Sequence, residues 1–149
     1  MRHHGNWTIQ DGEITVWCET CGHCVEHACT DKQAEMIEDT PIQAVFPELS
    51  SDVREMFITG QCGLCSSLGY TTIPLKAEES IVNTTKEILK MCNLPFDVTS
   101  VEDCYQLTID LRDNLDDCDY RDAYVLIRDC MKRTIDEIWE GVYDEGAEA

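Results

Sequence analysis

Cys18-x-x-Cys21 and Cys62-x-x-Cys65 repeat one spacing with forty residues between the pairs. No other feature restricts the fold of this chain as much. Two sulfurs separated by two residues suit a tight turn whose backbone amides point at the thiolates, and Gly22 follows the first pair directly. Two such knuckles facing each other supply four soft ligands in a tetrahedron, the arrangement that zinc takes in a closed structural site. The spacing therefore predicts one structural zinc ion on Cys18, Cys21, Cys62 and Cys65. The long insert is compatible with this, because ribbon-like sites carry helices between their knuckles.

A second grouping competes for the first pair. Cys18, Cys21, Cys24 and Cys29 form C-x2-C-x2-C-x4-C, close to the bacterial ferredoxin run, which has three residues before its last cysteine and then a proline. Here four residues intervene and Thr30 follows. One run would ordinarily be matched by a second, and this grouping leaves Cys62 and Cys65 without a role. An iron–sulfur protein is the lesser alternative. With zinc on the two pairs, Cys24 and Cys29 become small apolar strand residues, and His23 and His27 surface or outer-shell groups. Cys92 and Cys104 belong to helical core faces. Cys118 sits inside an aspartate cluster, which predicts a raised thiol pKa and low reactivity. Cys130 lies on or beside a helical face.

Met1 to Glu13 contains no apolar stretch of signal-peptide length, and no segment approaches the length that spans a membrane. The expectation is a cytoplasmic protein with no membrane partner, in a compartment where thiols stay reduced and ten cysteines serve as ligands and buried thiols.

The patterning predicts an α+β chain. Glu13–Trp17 reads as a strand entering the first cysteine pair, and the alternation in 23–29 as a second strand returning as a hairpin. Thr30 with Gln33 forms a capping box. Thr40-Pro41 reads as a helix start with Thr40 as cap, and Ser51 as the cap of a helix over 52–59 that Gly60 stops. Tyr70–Leu75 reads as extended and closes a zinc-ribbon-like domain at residues 1–75. An acidic three-helix domain follows at 76–149. Its stripes are Ala77, Ile81, Val82, Thr85, Ile88, Leu89 and Cys92; then Val101, Cys104, Thr108, Leu111 and Leu115 behind a Ser100 cap. The last comprises Tyr124, Ile127, Met131, Ile135 and Ile138 behind Asp119, and ends near Gly141. The terminal residues 143–149 read as a frayed tail.

Charge sets the function classes. Eleven basic residues stand against thirty acidic ones, a net of −19. The acidity is spread over the chain, with three basic and eleven acidic residues up to Leu75. DNA affinity rests on lysine and arginine neutralising phosphates, so direct nucleic-acid binding is not expected. An enzyme needs an open metal position or an acid–base constellation, and four cysteines close a zinc. The deaminase pattern, a phosphate-binding glycine loop and G-x-S-x-G are all missing. The aspartates of 110–122 lack the central glycine and closing glutamate of a calcium loop. The expectation is a non-enzymatic protein, with divalent-ion binding by those aspartates left open.

The segment Pro41–Cys65 carries Ile42, Gln43, Phe46, Pro47, Leu49, Ser50, Arg54, Glu55, Thr59, Gly60, Cys62 and Cys65. In these residues it resembles a recurring block of small bacteriophage zinc-ribbon-like proteins with two C-x-x-C knuckles. The resemblance covers Cys18 to Cys65 and does not reach the helical half. It implies a phage or mobile-element origin and brings no catalytic residue with it. Within the block, Phe46, Leu49, Met56 and Phe57 are expected to form an apolar plug.

Together these readings predict a phage-type zinc-binding protein that binds a host protein with a basic, nucleic-acid-binding surface and inhibits or redirects it. It would act as an anti-defence or host-takeover factor. Aspartates along the helices, with Asp113, Asp116 and Asp117 at the centre, would imitate a track of phosphates. The alternative is a zinc-stapled structural, adaptor or transcription-regulating protein that works through an apolar face, with Trp139 and Tyr143 as anchors. In that case the acidity only confers solubility.

Overall fold

Asp11 and Gly12 both adopt positive φ, 53° and 80°. They form the two-residue turn whose twist matches that of paired strands. Around this turn β1 (Trp7–Gln10) pairs antiparallel with β2 (Glu13–Trp17), which pairs in turn with β3 (Cys24–Ala28). The sheet order is β1-β2-β3. The structure, a computed structural model, describes residues 5–143. The N-terminal Met1–His4 and the tail from Asp144 on lie outside the described residues. The hairpin of β2 and β3 has the predicted strands and alternation, while β1 is an addition to the sequence reading.

Ile14 and Val16 point from β2 into a core that also holds Ile37, Ile42, Val45, Phe46, Leu49, Met56 and Phe57. These come from three short helices, α1 (Asp31–Met36), α2 (Ile42–Val45) and α3 (Ser51–Thr59), and from the residues that follow them: Ile37 and Phe46 end α1 and α2, and Leu49 lies between α2 and α3. The capping box of Thr30 and Gln33 is formed in both directions. The expected plug is formed, with Phe46 stacked on Phe57 at 6.5 Å between ring centroids. Two cap assignments shift by one residue. Pro41, not Thr40, precedes the first helical residue of α2, and Ser50 rather than Ser51 caps α3 by accepting from the Val53 amide. Gly60 ends α3 at φ 81°, a left-handed conformation that costs glycine little.

The second cysteine pair opens a helix that the sequence reading treats as loop and extended chain: α4 (Gly63–Tyr70). The chain divides into two units between Ser66 and Ser67, inside α4 and ahead of the change in composition at Lys76.

The second unit contains α5 (Leu75–Met91), α6 (Val101–Arg112) and α7 (Cys118–Trp139), each in contact with the other two. The predicted stripes face inward except at their ends, where Ile138 is only half-buried and Leu115, also half-buried, lies beyond the end of α6. Ala77, Ile81, Val82, Thr85, Ile88, Leu89, Val101, Cys104, Thr108, Leu111, Tyr124, Ile127, Met131 and Ile135 are all buried, as are Leu107 and Cys130. Ser100 caps α6 as expected, whereas Asp117 caps α7 in place of Asp119. Both long helices end in the same motif. After α5, the Asn93 amide bonds to the Lys90 carbonyl and the Leu94 amide to that of Leu89; after α7, Gly141 and Val142 do the same to Ile138 and Glu137.

The inward stripe of α7 sets a direct contrast. Ile127→Ala, at a fully buried site, should cost about 2–5 kcal/mol. Leu126→Ala, one position earlier and 41% exposed, should change stability by less than about 0.5 kcal/mol. Urea midpoints of the two variants decide this; equal losses would mean that the helix presents another face.

Candidate metal centre

The first pair is built by the hairpin. As β2 ends at Trp17, the Cys18 amide bonds to the His23 carbonyl at 2.8 Å and the Gly22 amide returns to the Cys18 carbonyl at 2.8 Å. Gly22 takes φ 78° to make this turn, and the Cys21 amide then points at Cys18 Sγ from 3.5 Å. The second pair is built differently. Cys62 stands immediately before α4, its carbonyl accepts from the Ser66 amide, and the Cys65 amide points at Cys62 Sγ from 3.5 Å. Residues three apart in the first turn of a helix share a face. The expectation of two facing knuckles is thus corrected to one hairpin knuckle and one helix N-terminus. Both deliver an amide to a sulfur, and the helix adds the positive end of its dipole.

Direct bonds hold the two halves in register. The Glu19 amide donates to the Gly60 carbonyl at 2.7 Å, and Gln61 Nε2 donates to Thr20 Oγ1 at 2.9 Å. Asn6 is a participant that sequence reasoning missed. Its side chain is 2% exposed, and Nδ2 donates both to the Trp17 carbonyl at 2.6 Å and to the Met56 carbonyl at 2.8 Å. It therefore clamps the end of β2, directly before Cys18, to the last turns of α3. No pattern marks such a residue, because its role depends on two carbonyls that lie far from it in the chain.

The four sulfurs of Cys18, Cys21, Cys62 and Cys65 all lie within 4.8 Å of one another, and all four residues are buried. Cys21 Sγ and Cys62 Sγ are 3.7 Å apart. A single ion with four sulfurs at about 2.3 Å requires an S···S edge of roughly 3.8 Å. The donor set therefore fits one tetrahedral metal ion. A polynuclear cluster would spread the sulfurs further, since the four cysteines would then be shared among two or four irons. Hydrogen bonds from the thiols of Cys21, Cys62 and Cys65 pull the Cys18 thiol far below its ordinary pKa, while those with Cys18 and Cys62 push Cys21 far above it.

The ferredoxin-like grouping is not assembled. Cys24 lies exposed on β3 with its thiol donating to the Gly22 carbonyl at 3.3 Å, and the Cys29 thiol donates to the Thr30 carbonyl at 3.6 Å. Cys29 is buried as expected; Cys24, expected to pack, is not. His27 is half-buried, bonded to Glu48 at 2.8 Å and edge-on to Phe46. That bond is the largest cause holding the Glu48 carboxyl below its ordinary pKa. Cys92, Cys104 and Cys130 are buried in the helical unit, where desolvation raises each thiol. Cys118 is exposed, with Arg121 Nη2 3.5 Å from its sulfur. Asp113, Asp116 and Asp117 are exposed too. Asp113 pairs with Arg112 at 3.3 Å, and Asp117 is spent on capping α7. Among the described residues, the four cysteines are the one group of metal-ligating side chains that converges. Trp139 and Tyr143 line a common cleft in the second unit.

Burial predicts the thiol chemistry. In metal-loaded protein a thiol reagent should react rapidly at Cys24 and Cys118 only, because the other eight cysteines are buried; for Cys118, exposed with Arg121 beside its sulfur, this replaces the low reactivity expected from its aspartate neighbours. A chelator should release four more, and Asn6→Ala should speed that release about tenfold, in line with the loss of a supporting contact around a metal site. Mass mapping of labelled peptides reads this. Rapid labelling of Cys18 and Cys62 without chelator would show that the centre holds no ion.

Comparison of the chain with protein-family models, with curated proteins and with solved structures finds no match.

Proposed function

We propose that this chain is a zinc-stapled, non-enzymatic protein of bacteriophage type that binds a host protein with a basic working surface, in the host cytoplasm, and inhibits or redirects it. The observation that carries the reading is the placement of the acidic side chains. Asp103, Asp110, Asp113, Asp116, Asp117, Asp119, Asp122, Asp129 and Asp136 follow one another along α6, the connecting turn and α7, and every one is exposed. In a chain of net charge −19 they form a field that repels phosphates and speeds encounter with a basic protein surface. A surface that normally holds nucleic acid is the target best matched to regularly spaced anions. Among the described residues, no helix is long and apolar enough to cross a membrane.

Zinc is the ion that suits the centre. Four buried thiols fill a tetrahedral shell and leave no open position for a substrate or an activated water, which supports a structural role. Binding would release the remaining thiol protons, so metal binding and folding of the first unit would be one equilibrium.

A second reading, an adaptor or regulator that works through an apolar face, draws on Trp139, which is 68% exposed. The two readings separate in one experiment. The chain is used as bait for host proteins at low and high salt, beside Asp113→Lys/Asp116→Lys/Asp117→Lys and Trp139→Ala/Tyr143→Ala. Mimicry requires capture that is lost in high salt and in the charge-reversed variant. Capture indifferent to both, yet lost in the aromatic variant, would replace mimicry with the apolar face. Independently, elemental analysis of protein purified without added metal should give about one zinc per chain, lost together with folding in Cys62→Ser. Iron that persists in Cys62→Ser would withdraw the zinc assignment.

A further inference from the structure

Tyr70, Thr71, Thr72, Pro74, Ile138, Trp139 and Tyr143 enclose a cleft of about 420 Å³ in the helical unit, within the size range of ligand sites. Its aromatic walls are unusually open to solvent. Tyr70 is 81% exposed and Trp139 68% exposed, in a unit whose other aromatic positions on α7 include the buried Tyr124. Hydrophobic burial would favour folding such side chains inward. Trp139 is instead held in place at the surface, with its indole Nε1 donating to Thr71 Oγ1 at 3.0 Å. That bond ties the edge of the indole to the segment between α4 and α5 while most of the side chain stays open to solvent.

Three independent features give the cleft the same electrostatic sign. Ile138 and Trp139 are the last two residues of α7, a helix of 22 residues, so the cleft lies at the negative pole of that helix. The Schellman closure through Gly141 and Val142 keeps that pole fixed. The aromatic rings present electron-rich faces, which attract cations. Finally, the described chain beside the walls is acidic on balance: Asp136, Glu137 and Glu140 stand around Trp139, against Lys76 two residues after Pro74 and Arg133 six residues before Trp139. Glu140 is exposed directly after Trp139. An apolar ligand would gain from the rings alone; a cation gains from the rings, the helix end and the carboxylates together.

We propose that this cleft binds a cationic side chain, an arginine or lysine presented by a basic segment of the partner protein. The Trp139 and Tyr70 rings form its walls, and Thr71 is a positioning residue that orients the indole. The inference rests on the reading of the partner as a basic protein and adds a discrete anchor to it. The aspartate track supplies long-range attraction, which salt screens within roughly 8 Å under physiological conditions. The cleft supplies short-range recognition of one side chain.

The test uses the full metal-loaded chain and capped pentapeptides with a single central residue: arginine, its uncharged isostere citrulline, or leucine. Two-dimensional NMR of the Trp139 indole N–H reads occupancy. The arginine peptide should shift that resonance at millimolar concentration, with citrulline and leucine at least about tenfold weaker. Trp139→Ala should abolish arginine binding as read on the backbone amides of 70–73. Trp139→Phe should retain part of it, and Thr71→Val should weaken it while the protein stays folded. Asp113→Lys/Asp116→Lys/Asp117→Lys should leave this single-charge binding within about threefold, because the screened field is remote from a local contact. Leucine binding as well as arginine, or no shift with arginine, would overturn the cation site. The salt-sensitive capture of a basic partner would stand in either case. Conversely, loss of that capture reading, with arginine binding intact, would leave the cleft as a cation site without the mimicry.

Discussion

The sulfurs of Cys18, Cys21, Cys62 and Cys65, gathered within 4.8 Å and shut away from water, tie the β-hairpin to the start of α4. The thiols hydrogen-bond one another there, which draws the Cys18 thiol down and pushes the Cys21 thiol up. A divalent ion would replace those hydrogen bonds and neutralise the thiolates where they stand. The structural devices around it serve that convergence. Gly22 and Gly60 permit the two turns, the Glu19–Gly60 and Gln61–Thr20 bonds align them, and Asn6 pins β2 to α3. The first unit has a core of modest side chains and helices of 4–9 residues. Helices so short have little stability of their own, so a cross-link by metal would replace what length otherwise provides.

The helical unit follows the other route. Its helices run 17, 12 and 22 residues, long enough to bury continuous stripes, and its ends are secured by side-chain caps at Ser100 and Asp117 and by Schellman closures after α5 and α7. Small polar residues also enter this core: Thr85, Thr108 and Thr134 are buried beside Cys104 and Cys130. Thr108 satisfies itself by donating to the Tyr105 carbonyl at 2.6 Å. Desolvation keeps the Cys104 and Cys130 thiols protonated, so they act as small apolar groups and not as nucleophiles.

Much of this was legible from local chemistry. The two C-x-x-C pairs, the Thr30–Gln33 box, the Ser100 cap and the helical stripes each depend on residues within a few positions of one another. β1 was legible in principle, since Asp11-Gly12 is the hairpin dipeptide and Trp7 and Ile9 alternate with Thr8 and Gln10. Four residues are too few for alternation to register unless the turn is weighed with it. The cap shifts at Pro41, Ser50 and Asp117 arise where adjacent residues are equally capable and packing chooses between them. α4 was not legible. Gly63, Ser66, Ser67 and Gly69 are poor helix formers, and the helix starts where the ligand turn places it. Asn6 and the Tyr70–Trp139 cleft were beyond sequence reasoning for the same cause: each joins segments distant in the chain.

The acidity and the exposed aromatic cleft are better understood together than apart. A uniformly acidic surface confers solubility and attracts any basic protein, but it discriminates weakly, because screened charges act over distance without regard to shape. Selectivity needs a contact that is desolvated and geometrically demanding. Trp139 meets that demand: it is rigid, oriented by Thr71, and placed at a helix end whose field already favours a cation. Burying its ring against a partner would exclude water from the ion and strengthen the attraction that water otherwise weakens. On the proposed reading, such a chain would separate attraction from selection: the aspartates of α6 and α7 would gather basic proteins, and the aromatic cleft at the end of α7 would decide which of them stays.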